Sequence, residues 1–349
     1  MDPLQLKRYS RQTALPGFGA EGQRRLFEAS VLVVGAGGLG CPALQYLAGA
    51  GIGCIGIVDG DKVSSDNLHR QTLYSESDIG RPKAVSAAEK LARLNSGVRT
   101  ETYPLRLDAG NATEIISRYD VILDCTDDIP SRYMMDEVCR TLRRPLVYGA
   151  VHRYEGQVSV FHGTEATSYC DLFPSQPSDA AQRNCSTDGV LGMLTGIIGM
   201  VQASEALSLA IHRKSALEGK LWTFDLRTMT SETFSITPAT DTYRAVSPSK
   251  NSFTIPSLSF SSMPQDTLLL DVREEYEYGT DDAWTEGKEV MRIPLSDLSE
   301  SMHRLPRKRT IAVFCTSGYR SRIAARLISA VSGYDSISTL EPPTPHEER

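Results

Sequence analysis

A glycine-rich turn between a buried strand and a helix constrains the fold of this chain most strongly. SVLVVGAGGLG joins an apolar, β-branched run to Gly35, Gly37 and Gly40, and the small residues of CPALQYLAGAG are typical of a helix. The next apolar run, CIGIVDGD, places Asp59 about 24 residues after the first glycine. This order predicts a nucleotide-binding βαβ unit, with phosphates at the helix N-terminus and ribose hydroxyls on the carboxylate. It does not distinguish NAD from ATP.

Later segments extend this pattern. Apolar runs at 119–124 and 145–149 follow helical stretches and predict a parallel sheet covered on both faces, while EGQVSVFHG predicts an antiparallel extension. We expect a Rossmann-like, doubly wound, mostly parallel sheet in residues 1–237. A Ser-, Thr- and Pro-rich linker is expected over 238–251, and a small α/β domain over 252–349.

Composition excludes several classes of protein. The chain has 349 residues, 40% hydrophobic and 23% charged, which is typical of a soluble globular protein. A net charge of -6 argues against nucleic acid as a partner. Seven cysteines without a paired framework indicate reduced thiols and a cytoplasmic location. No signal-peptide pattern is visible, and the longest apolar stretch, 189–204, is short for a membrane span, so we expect a buried helix and no membrane anchor.

Charged and amide side chains follow the predicted strands. In a doubly wound sheet the carboxyl ends of the strands meet at one crevice, so Asp59, Asn67, Arg70, Lys83 and Asp127 could share a site. Two cations and an amide suit a polyphosphate, and a further carboxylate suits Mg²⁺. The alternative is that the cations are solvated surface charges.

Seven sequence blocks in fixed order carry a resemblance over residues 9–237. They are RYSRQTALPGFG, GAGGLGCPALQYLAGAGIG, VDGDKVSSDNLHRQTLY, GRPKA, DCTDD, EGQVSVF and NCSTDGVLGMLTGIIGMVQASEALS. Together they resemble the ubiquitin-activating-like adenylyltransferases of sulfur carriers, MoeB-like and ThiF-like. The resemblance implies a homodimeric nucleotidyltransferase. Such an enzyme uses ATP and Mg²⁺ to adenylate the terminal glycine carboxylate of a ubiquitin-like sulfur-carrier protein ending in Gly-Gly.

The resemblance also implies residue roles. Gly35, Gly37, Gly38 and Gly40 would form the ATP loop, Asp59 would hold the ribose with Asp61 beside it, Asn67, Arg70 and Lys83 would contact phosphates, and Asp127 would position Mg²⁺. Arg70 and Lys83 are the expected catalytic cations. Arg11 would reach the partner's ATP across the homodimer, and Arg132 is a weaker candidate.

The cysteines fall into different environments. Cys41, Cys54, Cys125 and Cys139 lie in apolar or helical stretches and are expected in the core. Cys185 directly precedes a predicted helix, whose N-terminus would lower the pKa of the thiol. In the relatives this thiol can join the activated carboxylate or a persulfide. A structural role for Cys185 is the alternative.

The zinc-binding pattern of the family is incomplete here. The resemblance implies two C-x-x-C pairs around one zinc ion, but Cys170 stands alone and no cysteine lies between Cys185 and Cys315. Because one available thiolate cannot build a four-cysteine site, we predict no structural zinc.

The C-terminal segment contains a second reactive cysteine. Cys315 ends an apolar strand and opens the loop CTSGYRSR, where backbone N–H groups with Arg320 and Arg322 suit a thiolate or persulfide. The loop resembles a rhodanese active-site loop, and LLLDVREEYEY and IPLSDL resemble earlier blocks of that domain. Asp271 and Arg273 are expected to be structural. The usual G-H-I block and terminal glycine pair are missing, so a vestigial docking module is the alternative.

The fused domains imply one main function. The catalytic residues would be Arg70, Lys83, Cys185 and Cys315, with the Cys315 persulfide supplied by a cysteine desulfurase or another sulfur donor. Sulfur transfer to the adenylated carrier would give a thiocarboxylate. The alternatives are activation of a ubiquitin-like modifier, a peptide or a tRNA without sulfur transfer, a nicotinamide-dependent oxidoreductase, and a scaffold with a vestigial rhodanese domain.

Overall fold

The structure, a computed structural model, divides into two compact units, Met1–Thr242 and Tyr243–Arg349. It describes residues 3–163, 167–173, 189–212, 214–237, 257–260, 263–273, 278, 285, 287–315, 319–329, 334 and 336–341. The predicted linker over 238–251 lies outside these residues.

The first unit is built on an eight-stranded sheet with the order β3-β2-β1-β4-β5-β6-β7-β8. Its strands are β1 (Ser30–Val34), β2 (Cys54–Val58), β3 (Arg99–Tyr103), β4 (Val121–Asp124), β5 (Leu146–His152), β6 (Glu155–Phe161), β7 (Lys220–Asp225) and β8 (Thr230–Ser235). The first five strands in this order pair in parallel, and β6 to β8 extend the sheet antiparallel. The predicted doubly wound sheet with an antiparallel extension is therefore confirmed.

Helices cover this sheet. They are α1 (Pro3–Arg8), α2 (Ser10–Thr13), α3 (Gly19–Glu28), α4 (Gly40–Ala50), α5 (Lys83–Leu94), α6 (Ala112–Ser117), α7 (Ile129–Leu142), α8 (Tyr169–Leu172) and α9 (Gly192–His212). Helix α4 packs against α5 and α9, whereas α6 and α7 pack against each other and α7 against β4 and β5. Each crossover helix returns the chain to the amino-terminal edge of the parallel strands, so the polar residues that follow these strands meet at the opposite, carboxyl edge.

Helix α9 is a long, largely apolar helix of 21 residues. By length and composition alone it could cross a membrane, but its buried residues, among them Leu194, Ile198 and Ala206, belong to the core. The buried side chain of Gln202 donates to the carbonyl oxygens of Asp124 (2.7 Å) and Val147 (3.3 Å). These contacts tie α9 to β4 and β5, as expected for a core helix.

The second unit contains a five-stranded parallel sheet with the order β11-β10-β12-β13-β9. Its elements are β9 (Ser257–Ser259), β10 (Leu268–Asp271), β11 (Val290–Arg292), α10 (Leu298–Ser301), β12 (Ile311–Phe314), α11 (Tyr319–Ser329) and β13 (Ile337–Glu341). Asp271 and Arg273 form a buried ion pair, with Nη2 and Oδ2 2.7 Å apart, in agreement with a structural role. The expected small α/β unit is confirmed.

Candidate active site

A cavity of about 610 Å³ opens at the carboxyl ends of β1, β2, β4 and β5. Most of the residues singled out in the sequence line it, namely Gly35, Gly37, Gly38, Asp59, Asp61, Asn67, Arg70, Lys83, Asp127 and Arg132. Gly40 and Arg11 do not line it, Cys185 lies outside the described residues, and Cys315 belongs to the second unit. The topology thus brings together residues that are far apart along the chain.

The glycine turn leaves its backbone open to the cavity. Gly35 has a left-handed φ of 94°, and a Cβ there would lie 2.6 Å from the Cys125 carbonyl oxygen. A Cβ on Gly40 would lie 2.0 Å from the Gly35 carbonyl oxygen. Gly40 is therefore required for close packing at the start of α4. The backbone of the turn forms a concave surface that phosphate oxygens can approach.

Asp59 is held rigidly at the end of β2. Its Oδ2 accepts a hydrogen bond from the Ala36 amide and its Oδ1 from the Asp61 amide, both at 2.8 Å. Burial raises the pKa of Asp59, although the positive charge of Lys83 opposes the shift. A fixed carboxylate next to the glycine turn is placed to accept hydrogen bonds from a ribose.

The raised pKa of Asp59 predicts a pH-dependent affinity for nucleotide. The carboxylate accepts ribose hydroxyls in its charged form, and that form is lost at a higher pH than the ordinary 3.8. ATP affinity should therefore fall on acidification more steeply in the wild type than in Asp59→Asn, which binds more weakly at neutral pH. Calorimetric titrations of both proteins with ATP at several pH values test this. The ionisation of ATP affects both proteins equally, so the difference between the two pH profiles reports on Asp59. Identical pH profiles would contradict the role of Asp59.

Lys83 is a buried cation on the wall of the cavity. It is 5% exposed, begins α5, and its Nζ lies 3.1 Å from Oδ2 of Asp61. The Tyr74 hydroxyl lies 2.9 Å from the Ala36 carbonyl oxygen and 3.3 Å from the Lys83 carbonyl oxygen, so it links the start of α5 to the glycine turn. A desolvated ammonium group beside this turn provides strong attraction for phosphate.

Asn67 orients a second cation. It ends a short 3₁₀ turn, Ser65–Asn67, and its Oδ1 accepts hydrogen bonds from Arg70 Nη2 (2.8 Å) and Gln71 Nε2 (3.2 Å). Arg70 is half-buried and lines the cavity. Its guanidinium group is thus preorganised, which lowers the entropic cost of binding an anion.

The two carboxylates after β4 have different environments. Asp124 is buried and accepts hydrogen bonds from Thr126, and Arg132 Nε lies 3.5 Å from its Oδ2. Burial raises the pKa of Asp124, and the charge of Arg132 opposes that shift. Arg132 also donates to the Thr126 carbonyl oxygen (2.7 Å) and lies 5.2 Å from the Tyr148 ring centroid. Arg132 therefore holds the loop in place, whereas Asp127 is exposed to the cavity and fits a metal–phosphate contact.

Some lining residues were not predicted from the sequence. They include Lys62, Ser64, Gln71, Arg106, His152, Arg153 and Thr195. His152 ends β5 and Arg153 follows it, so their position at the end of a predicted parallel strand was the one available signal. Thr195 comes from α9 and packs 3.1 Å from the Cβ position of Gly38, a contact that no local pattern encodes.

The cysteines of the first unit occupy the core or stand alone. Cys41, Cys54, Cys125 and Cys139 are buried, as predicted, and burial raises the pKa of Cys41 to about 12. Cys170 is exposed on α8. Within the described residues no group of three or more His, Cys, Asp or Glu side chains could hold a metal ion. The absence of structural zinc stays a prediction, which a zinc determination on the purified protein can test.

Cys315 directly follows β12 in the second unit. It is 1% exposed, and its Sγ accepts a hydrogen bond from the Ser321 amide at 3.4 Å, in the first turn of α11. Residues 316–318 and the side chain of Arg322 lie outside the described part of this unit. The start of α11 therefore directs a main-chain amide at the sulfur.

Solved structures share the fold of the first unit. PaaA has a TM-score of 0.58 at 20% identity, covering 68% of this chain and 75% of that one. Escherichia coli MccB with ATP has a TM-score of 0.59 at 18% identity, covering 66% and 72%. These similarities concern architecture alone.

Two proteins with related sequences show higher sequence identity to this chain than these structures do. The chain is 46% identical over 227 residues to the adenylyltransferase and sulfurtransferase MOCS3 of Caenorhabditis briggsae, covering 65% of this chain but only 56% of the relative. It is 46% identical over 226 residues to the sulfur carrier protein adenylyltransferase of Thermus thermophilus, covering 63% of this chain and 83% of the relative. The ThiF family matches residues 9–245, well over half of the sequence. The chain belongs to the ThiF family.

Proposed function

We propose that this protein adenylates the C-terminal glycine carboxylate of a ubiquitin-like sulfur carrier. The observation that carries the proposal is the cavity itself, where an open glycine turn, a fixed carboxylate and two oriented cations meet. One of the two relatives is an adenylyltransferase and sulfurtransferase and the other is a sulfur carrier protein adenylyltransferase, which supports the same chemistry.

Each part of the cavity has a role in this reaction. Asp59 would hold the ribose, the amides of the glycine turn would face the phosphates, and Lys83 and Arg70 would balance charge that builds up on them. A carboxylate oxygen of the carrier attacks the α-phosphorus as the bond to the bridging β-oxygen breaks. The products are the acyl-adenylate and pyrophosphate. The protein contributes mainly by positioning two anions against each other.

The exposed carboxylate of Asp127 fits a magnesium ion bound with ATP. Mg²⁺ prefers carboxylate and phosphate oxygens and keeps several waters, so one protein carboxylate on an open cavity wall is a suitable donor set. Asp124 does not fit, because it is buried, accepts a hydrogen bond from Thr126 and forms an ion pair with Arg132. When bound, the ion would neutralise charge on the leaving pyrophosphate.

The second unit would supply sulfur. In the proposed sequence, the terminal sulfur of a Cys315 persulfide attacks the acyl carbon and AMP leaves, which gives an acyl disulfide. The thiol of Cys185 then attacks the Cys315 sulfur, releases the carrier thiocarboxylate and forms a Cys185–Cys315 disulfide. A cellular thiol reductant would then reduce this disulfide to the two thiols, itself becoming oxidised to a disulfide, and a cysteine desulfurase or another sulfur donor would recharge Cys315.

Carrier-stimulated exchange of labelled pyrophosphate into ATP tests the adenylation step. A set of purified ubiquitin-like carriers ending in Gly-Gly should include one that stimulates exchange in the presence of Mg²⁺. Mass spectrometry of that carrier should show one oxygen replaced by sulfur once the donor is added, whereas a conjugate would indicate a modifier pathway. Stabilisation by NAD instead of ATP in a thermal-shift titration would contradict the proposal.

We also propose that the enzyme is a homodimer. Met193, Gly196 and Met200 share one face of α9, where Met193 is 65% exposed and a Cβ on Gly196 would meet nothing within 4 Å. Tyr46, on the neighbouring α4, is 58% exposed. A second copy would cover this apolar surface and would also give Arg11, which is exposed and does not line its own cavity, a site on the partner.

Charge on the exposed face of α9 is expected to weaken the dimer. Met193→Glu should place a carboxylate in an apolar interface and shift the mass measured by light scattering toward the monomer. Met229→Glu is the matched control, because Met229 is 68% exposed in the β7–β8 turn. A wild-type enzyme that is monomeric at micromolar concentration and fully active would exclude the shared-site proposal.

A further inference from the structure

The turn between β5 and β6 contains an arginine in an unusual backbone conformation. His152 and Glu155 form the last paired positions of the two strands, so Arg153 and Tyr154 make a two-residue turn. Arg153 has a left-handed φ of 51°. Such turns normally place glycine, asparagine or aspartate at positive φ, so an arginine here is held against its intrinsic preference.

Neighbouring segments fix this turn on both sides. The backbone of Arg153 bridges to Val190, directly before α9. The Leu226 amide donates to the Tyr154 carbonyl oxygen at 2.9 Å, and the guanidinium of Arg227 lies 5.2 Å from the Tyr154 ring centroid. Backbone strain that persists because the surroundings impose it is concentrated at ligand sites.

The turn stands at the opposite end of the cavity from the nucleoside position. Along the sheet the order is β2, β1, β4 and β5, so Asp59 and Gly35 lie toward one end and Asp127 and Arg153 toward the other. The register pair Asp124–Tyr148 places both loops directly beyond neighbouring strands. An acceptor that attacks the α-phosphorus, away from the ribose, would enter past β4 and β5.

That entrance needs positive charge. The incoming carboxylate has to approach ATP and the carboxylates of Asp127 and Asp128, all of which repel it. Arg132 lies on this side, but it is buried and donates to the Thr126 carbonyl oxygen, whereas Arg153 is exposed on the cavity wall. The remaining arginines that line the cavity lie elsewhere. Arg70 is hydrogen-bonded to Asn67. Arg106 packs against Gly60, the residue that follows Asp59.

We propose that Arg153 binds the C-terminal carboxylate of the carrier and aligns it for attack. A guanidinium group matches a carboxylate with two parallel hydrogen bonds, which fixes its orientation as well as its charge. The carboxylate is then held beside Asp127 until one of its oxygens reaches the α-phosphorus. This assignment rests on the proposed adenylation and names the residue that selects the acceptor.

Arg153→Gly separates binding from folding. Glycine is favoured at this backbone conformation, so the melting temperature should not fall, whereas kcat/KM for the carrier should drop by about 10- to 100-fold, the range for losing hydrogen bonds to a charged group. ATP affinity should stay within about twofold. Arg153→Lys should restore part of the loss. Arg143→Gly is the matched control, because Arg143 also has a left-handed φ of 53°, is exposed and lies outside the cavity.

A second measurement reads the carboxylate directly. The probe is the carrier that stimulates pyrophosphate exchange by the wild type. Its binding to the enzyme without ATP is compared with the binding of the same carrier bearing a C-terminal amide. The wild type should prefer the carboxylate form by about tenfold or more, and Arg153→Gly should bind both forms equally.

The outcomes separate the two proposals. Unchanged carrier kinetics and unchanged discrimination in Arg153→Gly would overturn the role of Arg153 while wild-type exchange still supported adenylation. Loss of ATP affinity in that variant would also overturn it, because Arg153 would then belong to the nucleotide end. If no carrier stimulates wild-type exchange, both proposals fail.

Discussion

Replacing Lys83 with methionine is expected to lower carrier-stimulated pyrophosphate exchange by about 10²- to 10³-fold, the loss typical of removing one preorganised charge from a reaction site. Lys83 is the buried cation beside the glycine turn, and its desolvation strengthens the attraction for charge developing on the phosphates. Methionine keeps most of the side-chain volume but has no charge. The rate measured at saturating ATP isolates the chemical effect from weaker binding.

The fold should tolerate this substitution. The partner of Lys83 is Asp61, whose side chain is 66% exposed, so its carboxylate remains solvated when the lysine is lost. Lys90→Met on the same helix is the control, since Lys90 does not line the cavity and its Nζ lies 2.7 Å from Oδ2 of the buried Asp78.

The control should show the opposite pattern. Burial raises the pKa of Asp78, but hydrogen bonds from Lys90 and Ser75 outweigh it and lower that pKa to about 2. Because this pKa is depressed, the ionised Asp78 stabilises the folded state at pH values above the group's ordinary pKa of 3.8. Lys90→Met is therefore expected to lose part of that stability at neutral pH. We expect Lys90→Met to unfold more easily yet keep its exchange activity, and Lys83→Met to do the reverse. Equal exchange rates in the two variants would refute the role of Lys83.

Replacing Cys315 with serine is expected to eliminate thiocarboxylate formation and to leave pyrophosphate exchange within about twofold, since a hydroxyl cannot carry the sulfane sulfur of a persulfide. The serine oxygen can still accept the Ser321 amide, so the start of α11 keeps its contact. Mass spectrometry of the carrier and the exchange assay, run on one preparation, give both results.

Cys54→Ser provides the matched control for a buried thiol. Cys54 is buried in β2 of the first unit and does not line the cavity. Both activities should persist in this variant. Thiocarboxylate formed at the normal rate by Cys315→Ser would show that sulfur reaches the carrier without the second unit, and the docking-module alternative would be favoured.

The interior of the first sheet could be predicted because its strands are buried on both faces. β1 and β2 are apolar runs, and the polar residues at their ends mark the sheet edge where the cavity lies. β3 (Arg99–Tyr103) has no apolar run from which a strand could be predicted. It is the edge strand, paired with β2 alone, and its sequence RTETY has the polar character that an exposed edge requires.

The site was predictable where it depends on local motifs and not where it depends on tertiary packing. The glycine turn, Asp59 and Lys83 lie in segments with recognisable patterns, and the cavity contains all of them. Arg153 was missed because one charged residue in a tight turn has no periodicity. Thr195 was missed because its relation to Gly38 arises only when α9 packs across the sheet.

That packing has a consequence for cooperativity. Thr195 lies against Gly38 of the glycine turn, and seven residues further along the same helix Gln202 bonds to the main chain of β4 and β5. The packing of one helix therefore links the position of the glycine turn to the centre of the sheet. A substitution that shifts α9 should displace the turn and the ends of β4 and β5 together, so the wall of the cavity and the core of the first unit respond as one cooperative structure.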